Sequence, residues 1–378
     1  MKMSDACDVL VMVTEFGGGG TERYAEDIAI GLAKTGLRVA VAVDRGGLDR
    51  VRCLTDAAIP IFNLDASDQA TPAEYVRSLR AVITRLRPRI IHANAWLRHR
   101  QILECAAACG VPLVFTGHTT YYPPRLREWV GIGRSPFALY RDRKLLRDAA
   151  VICISKLSRD NLRRRIGPSL RVTAVYNGVS IPKPTPFDRS SGAPRVIWVG
   201  SLIERKRPLT AIEVFLRVLP QFPGARLSIV GDGPLLQKVR EAAGAARGSI
   251  DIAGFQPAVP EMMTGNDIYL QTSVSEGIAY TVIEAMAAGL PVVATDAGAT
   301  REAVIHGETG LICRKRDVDG LARSLASVFA SPPLRKKFGA NGRERAERLF
   351  AIERMIDETR SAYQHLCGVD LSVPRATV

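Results

Sequence analysis

The sequence predicts an α/β protein made of two doubly wound parallel-sheet domains in tandem. Three observations carry this. Short apolar runs alternate with amphipathic stretches through most of the chain, and runs that are apolar throughout suit parallel strands covered on both faces. The pattern stops at the proline-rich stretch Ile181 to Pro194 and then restarts, as at a linker. The chain has 378 residues, 47% of them hydrophobic, which exceeds one ordinary domain and can fill two cores.

Taken in order, the first strand is the run Val9–Thr14, ending at Gly17 to Gly20. Ala25, Ile28, Ala29 and Leu32 then share one helix face, and Gly36 stops that helix. Strands are expected at Arg38–Val43 and Pro60–Asn63. Val76, Leu79, Ile83 and Leu86 mark a helix that ends before Pro88. Further strands follow at Arg89–Ala93, Pro112–Thr116, Ala150–Ile154 and Val172–Tyr176. Beyond the linker, strands are expected at Val196–Val199, Arg226–Val230, Ser249–Ala253, Asp267–Gln271 and Pro291–Ala294, with a helical end from about Leu334 to Leu366. The expected division is a first domain at 1–182, a linker at 183–194, a second domain at 195–350, and a helical segment at 351–378 packing back on the first domain. Open parallel sheets bind ligands at the carboxyl ends of their strands, so two such sheets facing one another predict a cleft site.

Composition narrows the class. The first apolar run is shorter than the roughly 7–15 residues of a signal-peptide core, and no stretch nears the roughly 20 needed to span a bilayer, so a cytoplasmic protein is expected. Seven scattered cysteines with no C-x-x-C pair read as reduced thiols, not a disulfide framework or a zinc site. Of the net charge of +14, residues 1–185 hold +11, with 28 Lys and Arg against 17 Asp and Glu. A basic half suits an anionic membrane surface or an anionic substrate, or is a solvated arginine-rich face. Arg77, Arg80, Arg85, Arg87 and Arg89 form one group. Arg134, Arg141, Arg143, Lys144 and Arg147, interleaved with Phe137, Leu139, Tyr140, Leu145 and Leu146, form another with the pattern of an interfacial helix. No nucleic-acid motif accompanies the charge.

Chemistry concentrates in Ser275 to Ala294. Glu276-Gly277 follows a strand, and a helix begins near Tyr280, so backbone N–H groups of Tyr280, Thr281, Val282 and Ile283 can face an anion. Glu284, one turn in, can accept from ribose hydroxyls, and Glu276 can hold sugar hydroxyls. On spacing alone, two solvated acids remain the alternative. Arg205 and Lys206 follow the first strand of the second domain and offer cations to a phosphate; a surface turn is the other reading. Gly19 and Gly20 precede the first helix and allow close backbone approach, without the spacing of a dinucleotide fingerprint. His118 ends the segment Phe115-Thr116-Gly117-His118 at another ligand edge. Asp317-Val318-Asp319 imitates a metal-binding pair but precedes an amphipathic helix and reads as a cap.

These pieces together resemble the GT4-type, or group 1, retaining glycosyltransferases of the GT-B fold. The likeness runs over nearly the whole chain: Gly18-Gly19-Gly20-Thr21-Glu22-Arg23, Asn177-Gly178-Val179, Val199 to Lys206, Val230-Gly231-Asp232-Gly233-Pro234, the Glu276/Glu284 segment, and Gly298 to Gly310. The resemblance implies two Rossmann-like domains facing a central cleft and a UDP- or GDP-sugar donor. It implies catalytic roles for Arg205, Lys206, Glu276 and His118, the histidine lying close to the donor sugar. Donor contacts are expected from Gly19, Gly20, Gly277, Thr281, Val282, Ile283 and Glu284, with the base near Phe255 and Gln256. Family members often carry Arg at the place of Ser201, so the guanidinium role passes to Arg205. The resemblance further implies retention of configuration by a front-face mechanism, and no cofactor or metal. A glycan or lipid-linked acceptor is expected in the basic half, resting on the inner membrane face. The alternatives are another GT-B enzyme with a soluble acceptor, such as a phosphorylase or epimerase, and a non-catalytic nucleotide-sugar-binding subunit.

Overall fold

The computed structural model describes residues 6–17, 19–45, 52–64, 71–94, 98–118, 149–183, 193–246 and 248–372. The chain forms two compact units, one of Met1–Val175 with Ile352–Val378 and the other of Tyr176–Ala351.

The first unit runs β1 (Val9–Val13), α1 (Gly20–Lys34), β2 (Val39–Val43), α2 (Arg52–Asp56), β3 (Ile61–Asn63), α3 (Pro72–Leu86), β4 (Ile90–Ala93), α4 (His99–Ala108), β5 (Leu113–Gly117), β6 (Ala150–Cys153), α5 (Lys156–Ile166) and β7 (Arg171–Ala174). Its strands pair in parallel in the order β3-β2-β1-β4-β5-β6-β7. The order reverses between β1 and β4. The sequences VLVMV and VAVAV of β1 and β2 are buried at every position, as central strands covered on both faces must be. On α1, Tyr24, Ala25, Ile28, Ala29 and Leu32 are buried. Thr71 and Glu74 form a reciprocal capping box at the start of α3, with Pro72 in the first turn.

The second unit runs β8 (Arg195–Val199), α6 (Pro208–Val218), β9 (Arg226–Val230), α7 (Leu236–Ala243), β10 (Ile250–Gly254), α8 (Val259–Thr264), β11 (Ile268–Gln271), α9 (Tyr280–Ala287), β12 (Val292–Thr295), α10 (Thr300–Ala303), β13 (Gly310–Cys313), α11 (Val318–Ala330) and α12 (Pro332–Leu349). The parallel order is β10-β9-β8-β11-β12-β13, and here the switch falls between β8 and β11. Strand β13 was not among the expected strands. It is four residues long and paired with β12 so closely that a Cβ on Gly310 would stand 2.2 Å from the Val292 carbonyl oxygen.

The helical end comprises two helices. α12 stops at Leu349, and Ala351 bridges to Val179 while Val179 N–H donates to Phe350 O at 2.8 Å. α13 (Ile352–Cys367) then belongs to the first unit, where it packs on α1, β5, β6 and β7. Gly31 makes the α1 contact possible, since a Cβ there would lie 2.3 Å from Ile356 Cδ1. The first unit gives way to the second at Val175, several residues before the expected linker, most of which lies outside the described residues.

Asp317 caps α11, its carboxylate accepting from Gly320 N–H at 2.7 Å, and Asp319 pairs with Arg217. Among the described residues no helix is long and apolar enough to cross a membrane.

Candidate active site

In the second unit the loops after β8 and β11 flank the point where strand order reverses, the usual ligand crevice of a doubly wound sheet. Side chains lock the two loops together. The buried Trp198 indole N–H donates to Thr272 Oγ1 at 3.0 Å, and the Thr272 hydroxyl faces the carbonyls of Lys206 and Arg207 at 3.0 and 2.8 Å. Val274 N–H donates to Arg205 O at 3.0 Å. The loop after β9 closes in from the other side. Gly231 has φ +137, and a Cβ there would stand 2.0 Å from the Gly200 carbonyl oxygen.

This clamp brings three of the expected residues into one cluster. Lys206 Nζ lies 2.5 Å from Glu276 Oε1, and Arg205 Nη1 lies 3.0 Å from Glu276 Oε2. Arg205 Nη1 also donates to the Ser275 carbonyl at 2.7 Å. Glu276 is only 7% exposed. Burial alone would push its carboxyl up; the Lys206 and Arg205 charges, with hydrogen bonds from Lys206 and Ser273, outweigh burial and hold it below the usual carboxylate range. The carboxylate is therefore ionised, and the cluster keeps one net positive charge. Arg205 remains half-exposed, and beside it Arg205, Arg207 and Arg316 line a hollow of about 390 Å³. Arg207 and Arg316 both sit at positive φ, 53° and 65°. Sequence reasoning did not single out either, because they are 109 positions apart and meet only through packing.

The helix after Glu276 is placed by two further contacts. Asn177 is buried and its Nδ2 donates to Ile278 O at 3.1 Å, pinning the turn that contains buried Gly277. The Tyr269 hydroxyl donates to Thr281 Oγ1 at 2.7 Å. Burial first, then the fields of Glu276 and Glu284, raise the Tyr269 phenol, so both glutamates bear on one side chain. Glu284 is buried in α9. The expected row of helix-terminal donors is shorter than the sequence suggested. Val282 and Ile283 N–H both turn to Ala279 O, at 3.1 and 3.4 Å, because α9 starts at Tyr280 and its fourth residue already closes the first turn.

Phe255 and Gln256 follow β10. Phe255 is 58% exposed, and Gln256 Nε2 donates to Ala253 O at 2.8 Å.

The remaining expected residues lie in the first unit. Gly19 is the N-cap of α1 and Gly20 its first residue; Gly18 is outside the described residues. A Cβ on Gly19 would stand 2.5 Å from Glu22 Oε2, so this turn carries a carboxylate of its own and suits a neutral sugar better than a phosphate. His118 Nε2 lies 3.1 Å from Asn94 Oδ1, and Tyr24 packs edge-on at 5.0 Å. Burial lowers the His118 imidazole to about 3, so the ring is neutral at physiological pH. His92 is also buried and neutral, with ring nitrogens 2.6 Å from the Tyr363 hydroxyl and 2.5 Å from Thr116 Oγ1.

The cation–carboxylate cluster sits at the topological switch of a doubly wound sheet, where such sheets bind their ligands, and comparison with known proteins gives the family. The family "Glycosyl transferases group 1" matches residues 184–345, and "Glycosyltransferase Family 4" matches residues 18–182. Glycogen synthase of Mycobacterium tuberculosis is 29% identical over 291 residues, 73% of this chain and 69% of that protein. D-inositol 3-phosphate glycosyltransferase of Rhodococcus erythropolis is 27% identical over 388 residues, 92% of this chain and 86% of its own. The crystal structure of Anabaena HepE with UDP-glucose superposes with a TM-score of 0.80 at 22% identity, covering 94% of this chain and 100% of that one. The chain belongs to the GT4-type, group 1 glycosyltransferases and has the GT-B fold.

The cluster makes a pH prediction. Because the folded pKa of Glu276 is depressed, its stabilisation is complete above the unfolded value of about 4.3 and is lost as pH falls through the folded value. Glu276→Gln is expected to melt below the wild type at neutral pH. Melting curves from about pH 7 down to pH 3 should show that gap closing; a constant gap would mean the carboxylate is not held ionised by its cations.

Proposed function

We propose that the protein is a retaining, metal-independent hexosyltransferase that moves a sugar from a UDP- or GDP-sugar to an acceptor of the lipid-linked, polysaccharide or lipopolysaccharide type. One observation carries the reading: Lys206 and Arg205 converge on an ionised, buried Glu276 where strand order reverses. Cleaving a sugar–phosphate bond leaves growing negative charge on the diphosphate, and preorganised cations lower the barrier by meeting it. Lys206 and Arg205 take that role, Glu276 orients them and holds sugar hydroxyls, and Glu284 receives the ribose. Gly277, Thr281, Val282 and Ile283 border the phosphates, with the base against Phe255 and Gln256. Gly19, Gly20 and neutral His118 are the first unit's contacts to the sugar. In the front-face path, the C1–O bond to phosphate breaks, the leaving phosphate oxygen takes the acceptor's hydroxyl proton, and the acceptor oxygen bonds to C1 on the same face. HepE was crystallised with UDP-glucose, which supports such a donor.

The basic half supports an anionic acceptor or surface. Arg77, Arg80, Thr84 and Arg85 line a groove of about 650 Å³ along α3. Arg89 does not join them: it lies 3.6 Å from the buried carboxylate of Asp8 and donates to Asp370 O. The Arg134 to Arg147 group lies outside the described residues. A few exposed arginines suffice for reversible attachment, at about 1 kcal/mol each near an anionic leaflet. The R. erythropolis relative is named for a phosphate-bearing substrate, D-inositol 3-phosphate, which supports an anionic acceptor. We assign the protein to the cytoplasmic side of the membrane, attached peripherally.

Three measurements test this. Lys206→Ala should lower turnover roughly a hundredfold or more, while Glu284→Ala should chiefly raise the donor KM; near-wild-type kinetics in both folded variants would reject the site. In thermal shift, a panel of UDP-, GDP- and ADP-sugars should give one stabilising donor, equally with and without chelator. Sedimentation should show binding to anionic but not neutral liposomes, weakening as salt rises. Equal, negligible binding to both would point to a soluble acceptor.

A further inference from the structure

Asn94, the residue after β4, is 3% exposed. Its backbone N–H donates to Met12 O at 2.9 Å, which holds it against β1 at the switch point of the first sheet. Its Oδ1 faces His118 Nε2 at 3.1 Å. The other end of the amide, Nδ2, has no hydrogen-bond partner among the described residues. A buried N–H left unmade forfeits its hydration for nothing, and a more apolar residue would serve the core better if packing were the only demand. The surroundings are rigid. Tyr24 sits edge-on to both His118 and His92, at 5.0 and 6.0 Å, and His92 is tied at both nitrogens. The His118 ring is neutral, so with its proton on Nε2 toward Asn94 Oδ1, Nδ1 is left as an acceptor. An amide donor and an imidazole acceptor side by side complement a hydroxyl, which donates and accepts at once.

We propose that Asn94 is a carbohydrate-binding residue: Nδ2 donates to a hydroxyl oxygen of the nucleotide-linked sugar, while Oδ1 keeps the His118 proton on Nε2. This rests on the reading of His118 as a sugar contact, and it adds a residue that no sequence motif nominated. Its chemistry selects the sugar and is indifferent to the nucleotide.

The test compares sugar-bearing and sugar-free ligands on the full chain. Titration calorimetry is run with UDP and UDP-glucose, or with GDP and GDP-glucose if guanine is the base bound, on wild type, Asn94→Leu, Asn94→Asp and His118→Ala. Asn94→Leu removes both ends of the amide; Asn94→Asp keeps an oxygen for His118 and lacks the amide donor, and it guards against misfolding of the leucine variant. Both Asn94 variants are expected to bind the nucleotide sugar roughly tenfold more weakly, the size of one lost hydrogen bond, with the nucleoside diphosphate unchanged. Nitrogen NMR of the wild type should place the His118 proton on Nε2. A proton on Nδ1, or equal effects on both ligands, or no effect on either in folded variants, overturns the proposal. If His118→Ala weakens sugar binding while the Asn94 variants do not, this inference alone falls. If His118→Ala binds like wild type, the reading of His118 falls with it.

Discussion

A carboxylate that is 7% exposed cannot stay ionised unless cations lie against it, and Glu276 is such a carboxylate. That requirement reaches far into the second unit. Lys206 and Arg205 are 70 and 71 positions away in sequence, so β8 and β11 must be neighbours, which the reversal of strand order provides. The loops must also be fixed to within a hydrogen bond. Trp198 and Thr272 do this from below, and the turn at Gly231 does it from the side, where only a residue without Cβ admits the Gly200 carbonyl. Cation, carboxylate and strand order thus form one constraint.

Several arginines of the second unit are spent on helix ends. Arg335 donates to the last carbonyls of α11, at Val328 and Phe329. Arg343 donates to Ala287 O at the end of α9 and to Pro182 O, and Arg345 to Glu302 and Ala303 O at the end of α10. Guanidinium groups satisfy carbonyls that have no partner in the helix and oppose the negative end of its dipole. The hydrogen bond from Asn177 to Ile278 has a similar character. The Asn-Gly-Val segment, visible beforehand only as a likeness, turns out to support the glutamate loop.

Legibility followed the range of the interactions. The central strands, the α1 face and the Asp317 cap were readable because each depends on neighbours a few positions away. β13 escaped because four residues with a glycine carry little periodicity, and its existence depends on pairing with β12. At the junction of α12 and α13, the pairing of Ala351 with Val179, 172 positions earlier, escaped for the same reason. In the site, Arg205, Lys206 and Glu276 were nominated by their motifs. Beside them, Thr272, Arg207 and Arg316 were not, and neither was Asn94 of the first unit, since nothing local distinguishes these from ordinary loop residues.

By itself, the sequence determined the two-sheet α/β architecture and the family, and it nominated the motif residues Arg205, Lys206 and Glu276, because hydrophobic period and motif spacing are local properties of the chain. Only the tertiary structure decided that Glu276 is ionised between two cations, that Val282 and Ile283 spend their N–H groups on Ala279, and that Arg89 is paired with Asp8 and lost to the basic face. Each of these depends on burial and on distance between residues far apart in the chain, which sequence spacing does not encode.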